Sequence, residues 1–201
     1  MNPPVQIRSH RYQRDSLSRK NVLARGLWSV VWLLLFRPTP RPMHRWRCFL
    51  LRLFGAKISR DVRVYQSARI WAPWNLEMHP GSCLGDDVDC YNVAHICLEE
   101  KAVVSQYSYL CSASRDYRIA ELPLVSSPIT VAKQAWVTAD VFVGPGVRIG
   151  EGAVVTARST VLSDIEPWVV ASGNPATTVK RREFQAPQTS DQPATTGRSD
   201  G

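Results

Sequence analysis

A repeat of six residues constrains the fold of this chain more than any other feature of its sequence. Between residues 131 and 161 an aliphatic side chain recurs at every sixth position, and the fifth residue of each hexad is small or apolar. A period of six fits neither an amphipathic helix nor an alternating strand, as a β-sandwich would need, but it is typical of β-helices with one hexad on each flat face. The leading residues are Val131, Val137, Val143, Ile149, Val155 and Val161, and the fifth residues are Ala135, Val141, Val147, Ala153, Ser159 and Ile165.

The same spacing returns upstream in three shorter blocks. Three hexads make one coil, and the blocks indicate about five coils across residues 58–166, with changes of phase near Leu76, Ile96 and residues 113–128. One repeat cannot bury its own apolar face, so the coils must be stabilised by stacking on one another. The sequence therefore predicts a mainly β protein, a parallel β-helix with its aliphatic positions directed inward. The block positions are Ile58, Val64 and Ile70, then Met78, Leu84 and Cys90, and then Leu98, Val104 and Leu110.

The segments on either side of the repeat differ from it in composition. Residues 1–21 are polar and basic and are expected to be flexible, whereas residues 22–57 are apolar and basic and are expected to form helices. Residues 183–201 contain too few large apolar side chains to fold alone and are expected to be disordered. The repeat domain is expected to cover residues 58–182, interrupted by a non-repetitive loop at residues 112–128.

The helical segment 22–57 allows two compatible interpretations. Its apolar run at residues 27–36 is about half of the ~20 residues that a membrane-spanning helix needs, and six cations with no acidic residue lie between Arg37 and Lys57. The helices could cap the open first coil, as solenoids require, or lie on an anionic membrane surface. Nucleic acid is not expected as a partner, because no known reader motif accompanies the arginines.

The cysteines and histidines bear on compartment and on metal binding. The five cysteines are an odd number without a Cys-x-x-Cys pair, and Cys90 occupies an inward repeat position that suits a small core residue. We therefore expect a reduced, cytoplasmic protein, free or at the inner face of the membrane, and no metal site. A β-helix of the γ-carbonic anhydrase type would need three zinc-binding histidines, and only His79 and His95 lie in the repeat.

Several segments outside the hexads resemble a known family. The hexapeptide-repeat O-acetyltransferases share them, and the similarity is greatest to the colanic acid and exopolysaccharide biosynthesis branch of the maltose and galactoside acetyltransferase group. It extends over nearly the whole chain, from about residue 28 to residue 182. The segments are Arg37-Pro-Thr-Pro-Arg-Pro42, Trp71-Ala-Pro-Trp-Asn-Leu-Glu77, Ser112-Ala-Ser-Arg-Asp-Tyr117, and Ser172-Gly-Asn-Pro-Ala176 with the basic residues that follow it.

This resemblance implies a fold, a donor and a reaction. Members of the family are left-handed parallel β-helices that form homotrimers and bind acetyl-CoA between neighbouring subunits. A histidine in the loop that interrupts the third coil, here residues 112–128, removes a proton from a sugar hydroxyl, which then attacks the thioester carbonyl. The resemblance thus implies an acetyl-CoA-dependent O-acetyltransferase acting on a saccharide of exopolysaccharide or surface polysaccharide biosynthesis.

The loop departs from the family at the position of this histidine. The present chain has Arg115 there, and a guanidinium group has no lone pair with which to accept a proton. Arg115 could instead hold an anionic group or stabilise a developing oxyanion. His95 is a candidate replacement base, because counting coil against coil places it directly beneath Arg115, about 4.8 Å away. Asp116 is a second candidate, although its family position is better suited to orienting the loop.

Other roles are implied position by position. Asn92 matches an amide that contacts the acceptor sugar, and Trp136 matches a tryptophan beside the pantetheine arm of CoA. Ala139 and Ala157 match positions whose backbone amides meet the pantetheine. A corner asparagine, a subunit-packing tryptophan, small corner residues and a solvated basic end are the structural alternatives. The cations suited to the CoA phosphates are Lys180, Arg181 and Arg182.

A second class of function stays open from the sequence alone. A β-helix that has lost its catalytic histidine could be a silent scaffold or a regulatory subunit of a synthesis complex. Thr138 and Thr156 stand where the family usually has glycine, close to the expected cofactor groove. Their side chains crowd that part of the coil.

Overall fold

Short parallel strands wind into a three-faced β-helix in the computed structural model, which describes residues 11–12 and 18–184. Each coil contributes one strand to each face, and strands of successive coils pair in register. Leu98 pairs with Met78 and Leu110 with Cys90, as the hexad count predicts. The predicted mainly β solenoid is confirmed, with about six turns, because Ile165 and the strand after it begin a further turn where the hexad spacing lapses.

The three faces are three sheets. The first face contains β2 (Lys57–Ile58), β5 (Leu76–Met78), β8 (Ile96–Leu98), β13 (Ile129–Val131) and β16 (Arg148–Ile149). The second face contains β3 (Arg63–Val64), β6 (Cys83–Leu84), β9 (Val103–Val104), β14 (Trp136–Val137), β17 (Val154–Val155) and β19 (Val169–Gly173), to which β20 (Ala176–Arg181) is antiparallel. The third face contains β4 (Arg69–Ile70), β7 (Asp89–Tyr91), β10 (Tyr109–Cys111), β15 (Phe142–Val143) and β18 (Thr160–Val161).

The aliphatic positions of the hexads fill the interior. All six leading residues from Val131 to Val161 are fully buried, and Ala135 is buried at the corner that follows the first of them. Gly152 shows why some corners need glycine, since its φ is +63° and an added Cβ would lie 2.5 Å from the ring of Trp168. The core is therefore one continuous column of small and branched side chains.

Two helices precede the first coil, which confirms the predicted N-terminal helical cap. Helix α1 spans Arg19–Val31 and continues in a π-helical turn at Trp32–Phe36, and α2 spans His44–Leu53. The predicted boundary at residue 22 is too late, because Ser18 caps α1 by accepting a hydrogen bond from the N–H of Asn21 at 3.3 Å. None of the described helices combines the length and the apolar character needed to cross a bilayer.

The predictions for the two termini fall mostly outside the described residues. The structure does not describe residues 1–10, 13–17 and 185–201. Within the stretch expected to be flexible, Arg11–Tyr12 form a strand, β1, that pairs with residues 125–126. At the other end the ring of Phe184 lies 5.7 Å from that of Trp168.

The helical segment covers a strand edge that would otherwise lack hydrogen-bond partners. Within the solenoid, the N–H of Ser59 donates to the Met78 carbonyl of the next coil at 2.9 Å, and other N–H groups donate to the coil before, as Lys101 does to Pro80 at 2.9 Å. The first coil has no coil before it, so its outward carbonyls need other donors. Side chains of the helical segment supply the missing donors. They pair Trp28 with Ile70 (2.7 Å), Trp32 with Ala68 (2.9 Å), Arg47 with Val64 (2.7 Å), Cys48 with Val62 (3.5 Å) and Arg52 with Ile58 (2.8 Å).

Arg47 is the central residue of this cap. Its side chain is fully buried, and besides Val64 it donates to Thr39 Oγ1 at 2.7 Å and to the Pro40 carbonyl at 3.0 Å, and also to the carbonyl of Arg41. Burial lowers the pKa of Arg47, yet a guanidinium group stays protonated in proteins. Its positive charge is therefore stabilised by oxygen dipoles from the first coil and from the loop between the helices.

We expect Arg47→Met to lower the free energy of unfolding by at least about 3 kcal/mol, because it removes four hydrogen bonds that a fully buried guanidinium donates to oxygens of the first coil and the inter-helix loop. Denaturant titration followed by circular dichroism measures the change. Arg45→Met is the matched control, since Arg45 is exposed on the same helix and its loss should cost no more than about 0.5 kcal/mol. Equal stabilities of the two variants would show that the cap does not depend on Arg47.

Candidate functional site

A hairpin leaves the solenoid at the corner between the third and first faces. After Ser112 the chain forms β11 (Ala113–Arg115) and β12 (Leu124–Ser126), which pair antiparallel. It rejoins the coil at Ile129, whose N–H donates to the carbonyl of His95 at 3.0 Å. The predicted non-repetitive loop is this hairpin, and its base lies directly on the second-coil corner that carries His95.

Arg115 does not lie above His95, contrary to the coil count. Arg115 pairs with Leu124 inside the hairpin, and its Nη1 donates to the carbonyl of Leu122 at 2.8 Å. The count fails because the chain departs from the coil before Arg115, so the spacing of the coils no longer applies. The guanidinium is exposed, where it can contact a bound anion but cannot accept a proton.

Asp116 is held within the hairpin by an ion pair with Arg118. Its Oδ1 accepts hydrogen bonds from Nε of Arg118 at 2.8 Å and from the Arg118 backbone N–H at 3.1 Å, and its Oδ2 accepts one from Nη2 at 2.8 Å. The carboxylate is only 6% exposed. Both of its oxygens thus serve the conformation of the loop, and a role as base would require them to release Arg118.

His95 has the partner that a catalytic histidine usually needs. Its Nε2 lies 3.3 Å from Oε2 of Glu77, and 44% of its side chain is exposed. Burial alone would raise the pKa of Glu77, but the hydrogen bond to His79 and the charges of Lys57 and the two histidines outweigh it and lower the pKa. An ionised Glu77 can hold the Nε2–H tautomer of His95, which leaves the lone pair of Nδ1 to accept a proton.

Glu77 also belongs to a cluster that the sequence did not reveal. One ligand atom each of Glu77, His79 and Cys97 can be chosen so that all lie within 4.8 Å of one another. Glu77 and Cys97 pair in register on neighbouring strands of the first face, and His79 follows Glu77 by two residues on the same side. The block register that pairs Leu98 with Met78 also pairs Cys97 with Glu77, but it does not show that the side chain of His79 reaches the same place.

Asn92 is buried in a coil-to-coil contact. Its side chain is 0% exposed, its Oδ1 accepts a hydrogen bond from the N–H of Ala72 at 2.9 Å, and its Nδ2 donates to the Ala72 carbonyl at 2.6 Å. In a single subunit it therefore joins the second coil to the first. A contact with the acceptor sugar stays a prediction, and this arrangement presents no exposed amide atom for it.

The residues expected to hold CoA lie on the second face. Trp136 is 45% exposed, and its Nε1 donates to Ser105 Oγ at 2.9 Å. Successive cross-strand pairs lead from Trp136 along the solenoid axis to Lys180 on β20. The distance is three strand spacings, or about 14 Å. This column consists of Trp136, Val154, Val170 and Lys180. An aromatic ring thus marks one end of it and a cation the other.

The two alanines stack at the corner between the second and third faces. The N–H of Arg158 donates to the carbonyl of Ala139 at 3.1 Å, which places Ala157 one coil beyond Ala139. The hydroxyls that replace the family glycines have partners in neighbouring coils. Thr138 donates to the Val155 carbonyl at 2.8 Å, and Thr156 donates to Ser172 Oγ at 2.7 Å.

The basic run does not act as one unit. Lys180 and Arg181 are exposed on β20, whereas Nη1 of Arg182 donates to the carbonyls of Gly152 at 2.7 Å and Gln134 at 3.3 Å. Arg182 therefore fixes the chain after β20 to two earlier coils. Lys180 and Arg181 are the cations of the run that are presented to a ligand.

In one subunit the predicted residues occupy two edges of the solenoid. His95, Asn92 and the hairpin lie at the corner of the third and first faces, whereas the Trp136 column and the alanines lie on the second face and its corner with the third. The third face separates the two groups. A single subunit therefore does not bring the candidate base next to the residues expected to hold CoA.

Comparison with known proteins places the chain among acetyltransferases. It is 41% identical to the Escherichia coli K12 protein named as the colanic acid biosynthesis acetyltransferase WcaF, over 81% of this chain and 89% of that protein. No family model matches the chain.

Solved structures share the fold. A maltose O-acetyltransferase from Clostridium difficile 630 superposes with a TM-score of 0.75 at 23% identity, covering 88% of this chain and 94% of that one. A hexapeptide-repeat acetyltransferase from Vibrio cholerae, solved with acetyl coenzyme A, gives 0.74 at 21% identity, covering 85% and 93%. With its hexad-built solenoid, its third-coil hairpin and its similarity to WcaF over most of both chains, the protein belongs to the family of colanic acid biosynthesis acetyltransferases.

Proposed function

We propose that this protein transfers the acetyl group of acetyl-CoA to a hydroxyl of a saccharide in surface or exopolysaccharide biosynthesis. The observation that carries this proposal is the 41% identity to the colanic acid biosynthesis acetyltransferase over 89% of that protein. The exposed Trp136 column supports it, because an apolar strip ending in Lys180 and Arg181 suits an acyl-pantetheine arm followed by phosphates. The acceptor is a saccharide, in keeping with the family.

The proposed base is His95, oriented by Glu77. Nδ1 of His95 accepts the proton of the acceptor hydroxyl as its oxygen attacks the thioester carbonyl. The tetrahedral intermediate then collapses, the C–S bond breaks, and the leaving thiolate of CoA takes the proton back from His95. The Nε2–Glu77 contact of 3.3 Å stabilises the imidazolium between these steps.

Arg115 has a separate role in this scheme. It lies on the hairpin that leaves the solenoid at the corner that carries His95, and its guanidinium is exposed, while the Asp116–Arg118 ion pair fixes the hairpin conformation. A guanidinium group in that place can bind an anionic group of the acceptor or stabilise the oxyanion of the intermediate. Neither role requires it to lose its proton.

The complete site is proposed to form between subunits of a homotrimer. The His95 edge and the Trp136 column lie at different edges of one subunit, so the column of one subunit would have to face the hairpin edge of the next. An active site shared in this way requires that each subunit contribute both edges, which a closed ring of identical subunits achieves.

We expect His95→Gln to bind acetyl-CoA as the wild type does, at one molecule per subunit, but to lower kcat at least about a hundredfold, because general-base catalysis contributes ~10²–10⁴-fold. Calorimetry measures the binding. Thiol release from acetyl-CoA with a panel of hexoses and nucleotide hexoses measures the turnover. His79→Gln is the matched control, since His79 contacts the same carboxylate from the other side at 3.1 Å.

The outcomes separate three claims. Unchanged turnover in His95→Gln would exclude His95 as the base without touching the proposed reaction. Failure of the wild type to bind acetyl-CoA would overturn the reaction itself. A mass of one subunit by light scattering, in place of three, would overturn the shared site.

A catalytically silent scaffold is the second candidate function, and Arg115 at the family histidine position is the observation that favours it. For an enzyme that uses His95 and Arg115 in these roles, we expect Arg115→His to lower the turnover of an already active wild type by about tenfold or more, because a contact to the acceptor or to the oxyanion is lost. The same thiol-release assay measures the effect, with Tyr117→His as a control for a new histidine in the hairpin, since Tyr117 is 77% exposed. Activity that arises only in Arg115→His would identify the natural chain as the silent form.

We further propose that the helical segment binds the surface of an anionic membrane. Leu23, Leu27, Val30 and Leu34 follow one another at helical spacing and are 74%, 60%, 54% and 62% exposed. They face away from the cap contacts made by Trp28 on the opposite side of the helix. No acidic residue lies between residues 16 and 60, so every lysine, arginine, aspartate or glutamate of the segment that carries this apolar ridge is a cation. Apolar faces with a basic border suit anionic lipid.

We expect Leu27→Ser with Leu34→Ser to weaken binding to phosphatidylglycerol-containing vesicles at least about tenfold, because each leucine loses its transfer into the lipid interface. Vesicle co-sedimentation measures the affinity. Val179→Ser is the control, since Val179 is 64% exposed on β20, away from the helices. Equal binding of the wild type to purely zwitterionic vesicles, or an unchanged affinity of the double variant, would contradict the proposal.

A further inference from the structure

We propose that Glu77, His79 and Cys97 form a site for a zinc ion on the first face of the solenoid. The proposal is independent of the acetyl-transfer reaction and requires only the geometry of two neighbouring coils. The sequence predicts no metal site, because it has no Cys-x-x-Cys pair and only two histidines in the repeat. The site instead draws its ligands from two coils of the stack.

The coil geometry brings the three side chains to one place. Glu77 and Cys97 are cross-strand partners on β5 and β8, which stand about 4.8 Å apart. His79 follows Glu77 by two residues and therefore points to the same side of the sheet. The result is one ligand atom from each residue within 4.8 Å of the others. Small rotamer changes would bring these three atoms to about 2.0–2.3 Å from a zinc ion, the distance at which zinc binds such ligands.

The ligand types favour zinc over calcium or magnesium. A thiolate and an imidazole are ligands for borderline-soft metals, whereas the alkaline-earth ions prefer oxygen alone. Three protein ligands leave one position of a tetrahedron for water. The three residues are half-buried, so the ion can enter from solvent.

His95 and Lys57 also contact the proposed ligand Glu77. While Oε1 of Glu77 lies 3.1 Å from Nε2 of His79, Oε2 lies 3.3 Å from Nε2 of His95. His95 can therefore keep its contact with Glu77 when Oε1 turns to a metal. Lys57 lies 3.7 Å from Oε2, but 77% of its side chain is exposed and it can move away. Contacts of this kind orient a carboxylate that binds a metal ion.

One chemical cost opposes binding and provides a signature for it. Burial and the nearby carboxylates of Glu77 and Glu99 raise the pKa of Cys97 to about 11. The thiol is thus protonated at neutral pH in the metal-free protein, and an ion must displace that proton to bind the sulfur. Zinc binding is therefore expected to release a proton into the buffer.

The test titrates Zn²⁺ and Co²⁺ into the metal-free full chain. We expect one ion per subunit, bound at about 1 µM or tighter, and a thiolate-to-cobalt charge-transfer band with Co²⁺. Cys97→Ser should abolish the band and weaken zinc binding at least about a hundredfold, and Glu77→Gln should weaken it as well. His95→Gln removes only a contact to the ligand Glu77, so it should weaken zinc binding by about tenfold.

Cys83→Ser is the matched control, because Cys83 is a buried strand cysteine on the second face and its loss should leave the band and the affinity unchanged. Thermal melts show whether each variant is folded. If Cys97→Ser is unfolded, the zinc affinity of Glu77→Gln decides the test. Binding that is equal in wild type, Cys97→Ser and Glu77→Gln would overturn the site. Absence of zinc binding by the wild type at about 100-fold molar excess of the ion would also overturn the site.

Discussion

The hydrogen bonds along the stacking axis are the interaction on which this structure depends. Neighbouring coils exchange N–H···O=C hydrogen bonds in both directions, so the outer edge of the first coil keeps carbonyls that no other coil satisfies. Six carbonyls of the first coil, from Ile58 to Ile70, accept hydrogen bonds from side chains of the helical segment. The helices are therefore part of the solenoid in terms of hydrogen bonding. Their apolar ridge stays outside because their polar and aromatic donors are turned inward.

The same stacking geometry determines where chemistry is possible. Outward residues of successive coils lie one strand spacing apart, so columns such as Trp136 to Lys180 form without any loop. Corners are where the chain can leave the stack, and the hairpin does so once, above His95. Functional residues in this fold are consequently found at columns and corners, while the inward positions are apolar in every coil.

The interior could be predicted from the sequence because it obeys one period. The pairs of Leu98 with Met78 and of Leu110 with Cys90 followed directly from that period. The position of Arg115 could not be predicted in this way, since an antiparallel hairpin has its own register and removes the residue from the coil. The same register places Cys97 beside Glu77. The hydrogen bonds of Asn92 with Ala72 and the meeting of His79 with Glu77 depend on side-chain conformations, which a count along the chain does not contain.

Glu77 connects the two inferences made about the first face. One of its oxygens lies beside His95 and the other beside His79. A cation bound to the second oxygen would draw charge away from the carboxylate, so it would stabilise the imidazolium form of His95 less well. Loss of Glu77 would thus weaken both the base and the metal site, whereas loss of Cys97 would affect the metal site alone. The two roles are separable at Cys97 even though they share a carboxylate.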